Sequence, residues 1–212
     1  MSQTAYKFLP WEQTLLNVDE EFTKQVYSTI RSNGDDITSS CSRYFVAVHS
    51  WYQIMVKEDF YERLSQLRSS PQADFAILLF NVYILSQMYQ PVPRPKADIL
   101  QLYRTAKSMH FLLVSRGRAS MDLVQAGLLI ALYEHSQALH NATFQTIGIC
   151  ARMGYTLGFH QSLSPNGPPR GQYNNANETQ RLVWWAIIIL ERYSFTVSLL
   201  DVPLHPPRSR HK

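Results

Sequence analysis

The sequence contains little cysteine and little charge, and each scarcity excludes a class of protein. Cys41 and Cys150 are the only cysteines among 212 residues, and neither belongs to a C-x-x-C pair. This usage argues against a disulfide framework and favours a reducing compartment. Charged residues make up 17% of the chain and apolar residues 45%. The composition therefore indicates a globular protein, with apolar surface that a partner or another chain segment can cover.

The common catalytic and targeting signatures are also missing. No G-x-S-x-G, Walker loop, G-x-G-x-x-G or H-E-x-x-H motif occurs, so we predict no enzyme, no catalytic residue and no cofactor-binding residue. His135 and His140 are five residues apart, a spacing that does not align two ligands on one helix face. We therefore predict no metal site. The first residues lack a basic segment followed by an apolar run, which predicts no secretory signal.

Basic residues are distributed unevenly along the chain. Residues 1–74 hold 7 Lys and Arg against 10 Asp and Glu, whereas residues 75–212 hold 13 against 6. Most of these basic residues are scattered singly. We interpret them as solvated helix faces and not as a nucleic-acid footprint.

Helical patterns follow one another along the chain. Apolar residues at three- and four-residue steps, together with capping and breaking residues, predict a series of helices. They cover residues 19–32, 39–52, 58–67, 73–89, 96–115, 121–136 and 142–157, and a last helix follows an Asn177 cap. Ser120 is predicted to cap one helix, and Gly117 and Gly158 to end two others. With no strand alternation or repeat, we predict an all-α, bundle-like domain of roughly seven to eight helices with a central αα-hairpin at 121–157.

The last predicted helix contains the segment Arg181–Tyr193, which reads RLVWWAIIILERY. Its nine consecutive apolar residues, 182–190, are fewer than the roughly 20 that a membrane span needs. An apolar run of this length predicts a helix buried in a helical core. The two adjacent tryptophans either pack in that core, which we expect, or line a ligand pocket or anchor a partner.

Five segments occur in an order that is typical of one family. They are YFVAVHSWYQIM at 44–55, ADFAILLFNVYIL at 73–85, LVQAGLLIALYEHS at 123–136, ATFQTIGICARMGYTLGFH at 142–160 and the tryptophan helix. Together they resemble the middle homology region, or fungal-specific transcription factor domain, of fungal zinc binuclear cluster transcription factors. The resemblance implies structural or regulatory roles for the residues at the family's motif positions. In this sequence they are His49, Trp51, Arg152, His160, Arg181, Trp184, Trp185 and Arg192.

The chain also departs from the family pattern. The family's zinc cluster needs six cysteines, so zinc and DNA contact are expected only through a domain absent from this sequence. After the tryptophan helix the family usually continues with a Gly–Arg–Pro turn and more helices, where this chain has Asp201–Pro203 and stops at Lys212. We therefore expect a region truncated at its C-terminus. The expected organisation is an N-terminal segment with one helix at 1–37, the regulatory domain at 38–200 and a tail at 201–212.

The resemblance implies a non-enzymatic regulatory domain of a fungal transcription regulator that controls a metabolic or secondary-metabolite gene set. It implies a nuclear location, or a cytoplasmic one if the chain exists alone without an import signal. Protein partners or a homodimer are expected, no membrane is expected, and a small-molecule inducer is not identified. The alternative function is a helical interaction scaffold unrelated to transcription. An all-α enzyme with an unrecognised site ranks last.

Several charged residues invite specific hypotheses. Arg152 lies in an apolar helix pattern, so we hypothesise a pair across the core with Glu134 or Glu191. Glu178, Arg181 and Arg192 form either buried ion pairs that orient the tryptophan helix or solvated and capping contacts. His160 follows a helix end, where we expect it to interact with terminal carbonyls.

Overall fold

The computed structural model describes residues 17–91, 94–163 and 175–200, and every regular element in that part of the chain is a helix. The all-α prediction is confirmed. The α-helices are α1 (Val18–Ser32), α2 (Ile37–Ala47), α3 (Lys57–Gln66), α4 (Ala73–Gln87), α5 (Lys96–Ser115), α6 (Met121–Ser136), α7 (His140–Thr156) and α8 (Asn175–Leu200). A short 3₁₀ helix, Phe159–Leu163, follows α7.

Helix α4 forms the centre of the core. Of its 15 residues, 14 are buried, and Asp74 is the exception. Because the helix is apolar on all sides, it must be surrounded to be stable, and it packs against α1, α2, α5 and α6. The Asp74 carboxylate accepts a hydrogen bond from Ser120 Oγ, which ties the start of α4 to the start of α6.

Helices α6 and α7 form the predicted hairpin. Ser120 Oγ accepts a hydrogen bond from Leu123 N at 3.3 Å and so caps α6, as predicted. Three residues separate the two helices, which pack closely against each other. Gly127 permits this approach, because a Cβ at that position would lie 2.5 Å from Cys150 Sγ. Helix α8 then packs on α7.

The predicted bounds agree with the structure for α5 and α6 but not for α2 or α8. Helix α2 ends at Ala47 and not near residue 52, because the chain turns there and the indole of Trp51 donates to Ala47 O at 2.8 Å. Helix α8 begins at Asn175, so Asn177 lies inside the helix and the predicted cap at that position is wrong.

Residues 88–95 connect α4 to α5, and of these residues 92 and 93 lie outside the described residues. Arg94 forms an ion pair with Asp35 at 2.5 Å and donates to Gln87 and to Asn33. These bonds join the connection to the turn between α1 and α2. The predicted tail at 201–212 also lies outside the described residues.

Candidate functional site

An apolar groove of about 710 Å³ lies between α8, the C-terminal half of α6 and the connection from α2 to α3. We refer to it as the aromatic groove, after its principal side chains. They are Trp51 from the connection, Leu132 and His135 from α6, and Trp185, Ile189 and Tyr193 from α8. Two positions singled out in the sequence, Trp51 and Trp185, therefore line one groove although they are 134 positions apart in the chain.

Helix α8 supplies one wall of the groove because Trp185, Ile189 and Tyr193 recur at four-residue steps and share one helix face. These side chains are 46%, 51% and 62% exposed. The neighbouring face, which includes Val183 and Ile187, is buried against α7 and the core. The expectation that the whole apolar run is buried is therefore wrong for the groove face.

The second wall depends on how α2 ends. The Trp51 ring is 59% exposed, and its Nε1–H donates to the carbonyl of Ala47, one of the last in α2. This bond satisfies a carbonyl that the helix leaves free and fixes the indole at the edge of the groove. The carbonyl of Ile54 accepts a hydrogen bond from Gln125 Nε2, which fixes the connection against α6.

His135 and Tyr193 line the groove together. Their rings meet edge to face with centroids 6.4 Å apart. Sequence reasoning considered His135 only as a metal ligand and missed its place in this site. It also missed Ile189 and Tyr193, for which the four-residue spacing from Trp185 was the available signal.

Trp184 and Trp185 have different environments. Trp184 is buried, with its ring 4.9 Å from Tyr155 and in close contact with the backbone at Gly154. Trp185 is nearly half exposed in the aromatic groove. The expectation that both pack in the core is correct for Trp184 and wrong for Trp185, because adjacent residues on a helix point about 100° apart.

The two histidine motif positions lie among aromatic rings. His160 packs against Tyr155 and Trp184, with centroid distances of 5.0 and 6.2 Å. Its Nδ1 has no hydrogen-bond partner among the described residues, so that atom does not cap the carbonyls of α7. His49 lies edge to face against Phe45 at 4.9 Å, and burial lowers the pKa of its imidazole.

The hypothesis that Arg152 pairs across the core is wrong. Arg152 is exposed, as is Glu191. Glu134 is fully buried, and its carboxylate is bound by Lys107 Nζ, by Tyr103 OH at 2.7 Å and by Thr146 Oγ1 at 2.8 Å. Lys107 reaches the buried carboxylate because α5 packs against α6 beside Glu134. The spacing of residues in the sequence does not reveal this contact.

The remaining charged motif positions are at the surface. Arg181 donates to Glu178 at 2.6 Å, and the two side chains are 45% and 40% exposed. Arg192 is exposed too. Of the two roles considered for these residues, the solvated one is observed, and such exposed pairs contribute about 0–1 kcal/mol to stability.

Other parts of the described structure differ from the groove in their chemistry. A recess of about 1000 Å³ between α1, α2 and α3 is lined by charges of both signs, among them Lys24, Asp36 and Arg68. Burial raises the pKa of the Cys41 and Cys150 thiols to about 12, so both stay protonated at neutral pH.

Within the described residues, no three His, Cys, Asp or Glu side chains converge as a metal site. None of the described helices has the length and hydropathy of a membrane span.

Comparisons with known proteins agree with these motifs. Residues 41–198 match the model of the fungal specific transcription factor domain. The chain is 30% identical over 154 residues to transcription factor BOA15 of Botryotinia fuckeliana, which covers 68% of this chain and 82% of that protein. It is 22% identical over 153 residues to the lactose regulatory protein LAC9 of Kluyveromyces lactis, covering 72% of this chain and 17% of that protein. No solved structure matches it.

The matched region extends from Cys41 in α2 to Ser198 in α8 and so contains both walls of the aromatic groove. It includes the five segments on which the resemblance was based. A match over most of the chain shows the family, and the chain belongs to the fungal-specific transcription factor domain family as a regulatory domain.

Proposed function

We propose that this regulatory domain acts in the nucleus, on a metabolic or secondary-metabolite gene set, and sets transcriptional output through contacts at the aromatic groove. The observation that carries the proposal is that Trp51 and Trp185, both exposed, line one groove. Exposed aromatic residues are costly to leave in water and are enriched in binding hot spots.

The similar proteins support the choice of process. One is named a transcription factor and the other a lactose regulatory protein, which is a regulator of metabolism by its name. The alternative of a helical scaffold unrelated to transcription is not favoured by the family match. We infer a non-catalytic role, since the relatives are regulators and the buried thiols are protonated at neutral pH.

We propose that a separate module binds DNA. The 212 residues contain two cysteines, too few for a six-cysteine zinc cluster. The domain would act on that module, or on a partner that carries one, by favouring one arrangement of the complex over another. A bound molecule shifts such an equilibrium only to the extent that it prefers one of the two states.

A tethering assay tests this function. The full chain is fused to a heterologous DNA-binding domain, and reporter output is compared with that of the DNA-binding domain alone. We expect the fusion to change output and Trp185→Ala to remove most of the change. Phe111→Ala is the matched control, because Phe111 is 62% exposed on α5, which contributes no residue to the groove.

Protein level and helicity must be equal across the fusions, measured by immunoblot and by circular dichroism of the purified chains. An unchanged reporter with the wild-type fusion would contradict a regulatory function. A wild-type effect that Trp185→Ala and Phe111→Ala leave equally intact would contradict the assignment of that function to the groove.

A further inference from the structure

We propose that Ser70, in the turn between α3 and α4, is a phosphorylation site, and that Lys24, Arg31 and Arg68 bind the phosphate group. None of these residues lines the aromatic groove, so the site is independent of the proposed function. Three features of the molecule point to it. They are the exposure of the Ser-Pro pair, the three cations beside it and the charge balance of the recess that they line.

The acceptor lies in an exposed turn. Residues 67–72 connect α3 to α4, and Ser69 and Ser70 are both exposed. The hydroxyl of Ser69 donates to Gln66 O at 2.9 Å, whereas that of Ser70 makes no hydrogen bond with another described residue. Pro71 follows, with a fixed φ and no backbone N–H, which are the features that proline-directed protein kinases read after the acceptor. Such a kinase would therefore select Ser70.

The three cations lie in a recess that adjoins this turn. The recess of about 1000 Å³ between α1, α2 and α3 is lined by Arg68 and by Pro71, the residue after the acceptor. Lys24 and Arg31 line it from α1. The guanidinium carbon of Arg68 lies 4.8 Å from the centroid of the Tyr27 ring. Because Tyr27 is three residues after Lys24 and four before Arg31, the three share one face of α1. All three cations therefore lie close together.

The charge balance leaves these cations available. Among the described lining residues, the three cations are equalled in number by Glu20, Asp35 and Asp36. Asp35, however, is paired with a fourth cation, Arg94, and Asp36 accepts hydrogen bonds from Ser39 N and Oγ at the start of α2. The three cations form no ion pair with another described residue. With four cations and three carboxylates the local sum is positive, and a phosphate with a charge of about −1.5 to −2 complements it.

The modification is a phosphoryl transfer from ATP. Ser70 Oγ forms a bond to the γ-phosphorus while the bond from that phosphorus to the β-phosphate oxygen breaks, so ADP leaves. The hydroxyl proton passes to the carboxylate base of the kinase. The attached phosphate stays within two residues of Arg68, which raises its effective concentration at the cations. Its ion pairs would tie the end of α3 to α1, a helix that precedes the matched region at 41–198.

Phosphorylation of the purified full chain tests the acceptor. The chain is incubated with a proline-directed kinase and ATP, and mass spectrometry maps the modified residues. Mapping separates Ser70 from Ser164, the other serine that precedes a proline. We expect Ser70 to be modified at least about tenfold faster than Ser69, which lacks a following proline. A synthetic peptide of residues 64–76 shows that the kinase accepts the sequence. A modified peptide with an unmodified Ser70 in the folded chain would overturn the proposal, as would equal rates at the two serines.

Phosphorus-31 NMR tests the role of the cations. The full chain carries phosphoserine incorporated at position 70, so the spectrum has one protein resonance. The second pKa of phosphoserine is near 6, and adjacent cations lower it because they favour the dianion. We expect this pKa to be lower in the folded chain than in urea by about half a pH unit or more. Lys24→Gln combined with Arg31→Gln should remove most of the difference.

A second double variant is the matched control. Arg104→Gln combined with Arg152→Gln removes two exposed cations from α5 and α7, which contribute no residue to the recess, and should leave the difference intact. Lys24 and Arg31 are also exposed, so their replacement leaves no buried charge, and circular dichroism checks that every variant folds. The same phosphate pKa in the folded chain and in urea would overturn binding by the cations. A difference that both double variants reduce equally would do so as well.

Discussion

The ring of Trp184 packs in the core at 6% exposure, while the ring of the next residue, Trp185, is 46% exposed in the aromatic groove. One dipeptide therefore connects the folded core to the candidate interaction surface. Trp184 is held by Tyr155 and Gly154 of α7, which fixes the rotation of α8 about its axis. That rotation in turn presents Trp185, Ile189 and Tyr193 to solvent.

Alanine substitutions should separate the two tryptophans. Trp184→Ala removes a buried ring and should lower the free energy of unfolding by about 3–5 kcal/mol. Trp185→Ala should lower it by less than about 1 kcal/mol, because half of that ring is already in water. Urea unfolding followed by circular dichroism measures both. Equal losses would show that Trp185 is also a core residue.

Two glycines in the hairpin should respond to alanine in opposite directions. A Cβ at Gly127 would meet Cys150 Sγ at 2.5 Å, so Gly127→Ala should destabilise the protein by about 1–3 kcal/mol. At Gly148 on α7 the nearest atom is the Arg152 guanidinium at 3.8 Å. Gly148→Ala should therefore raise stability by about 0.5–1 kcal/mol through helix propensity. Thermal unfolding of the pair checks the signs, and a stabilising Gly127→Ala would contradict the close α6–α7 contact.

The bond between Lys107 and Glu134 should be costly to break from one side. Lys107→Met leaves a fully buried carboxylate with only two neutral donors, Tyr103 and Thr146. We expect a loss of about 2–3 kcal/mol, below the value for a wholly buried pair because Lys107 is 34% exposed. Adding Glu134→Gln should recover most of this loss, which a double-mutant cycle in urea measures. An additive, larger loss in the double variant would contradict the account.

Acid should weaken the fold through His110. Its ring is buried, its Nε2–H donates to Leu123 O at 2.9 Å, and burial lowers the pKa of the imidazole below its usual value near 6.5. Below about pH 6.5 the unfolded chain binds a proton that the buried ring does not, so stability present above that pH falls as the solution is acidified, by up to about 1.4 kcal/mol per pH unit. His49 acts in the same direction.

Replacing His110 with Gln, which keeps a hydrogen-bond donor, should reduce the slope of stability against pH between about 6.5 and the lowered pKa. Urea unfolding at several pH values measures it, with His49→Gln as the comparison. An unchanged slope in His110→Gln would show that the ring is already protonated in the folded protein.

Most of the fold was predictable because local signals agreed with it. Helices α5 and α6 have the predicted bounds, since Ser120 caps one and Gly117, with φ of 77°, follows the other. The end of α2 was not predictable in the same way. The aromatic spacing that runs to Trp51 also fits a helix, and only the indole bond to Ala47 O shows that the chain has already turned.

The groove was only partly predictable. The sequence marks Trp51 and Trp185 as notable but does not show that they line one groove, because the position of Trp185 depends on the rotation of α8 against α6 and α7. The partner of Glu134 was also not predictable from the sequence. An arginine in a neighbouring helix pattern was the obvious candidate, but a lysine from α5 reaches the buried carboxylate.

The most direct measurement of the central claim is reporter output from the tethered chain with Trp185→Ala, compared with Phe111→Ala at equal protein level. If the aromatic groove transmits regulation, Trp185→Ala removes most of the effect on the reporter while Phe111→Ala and the helical content stay as in the wild type. If both variants regulate as the wild type does, the aromatic groove does not transmit regulation.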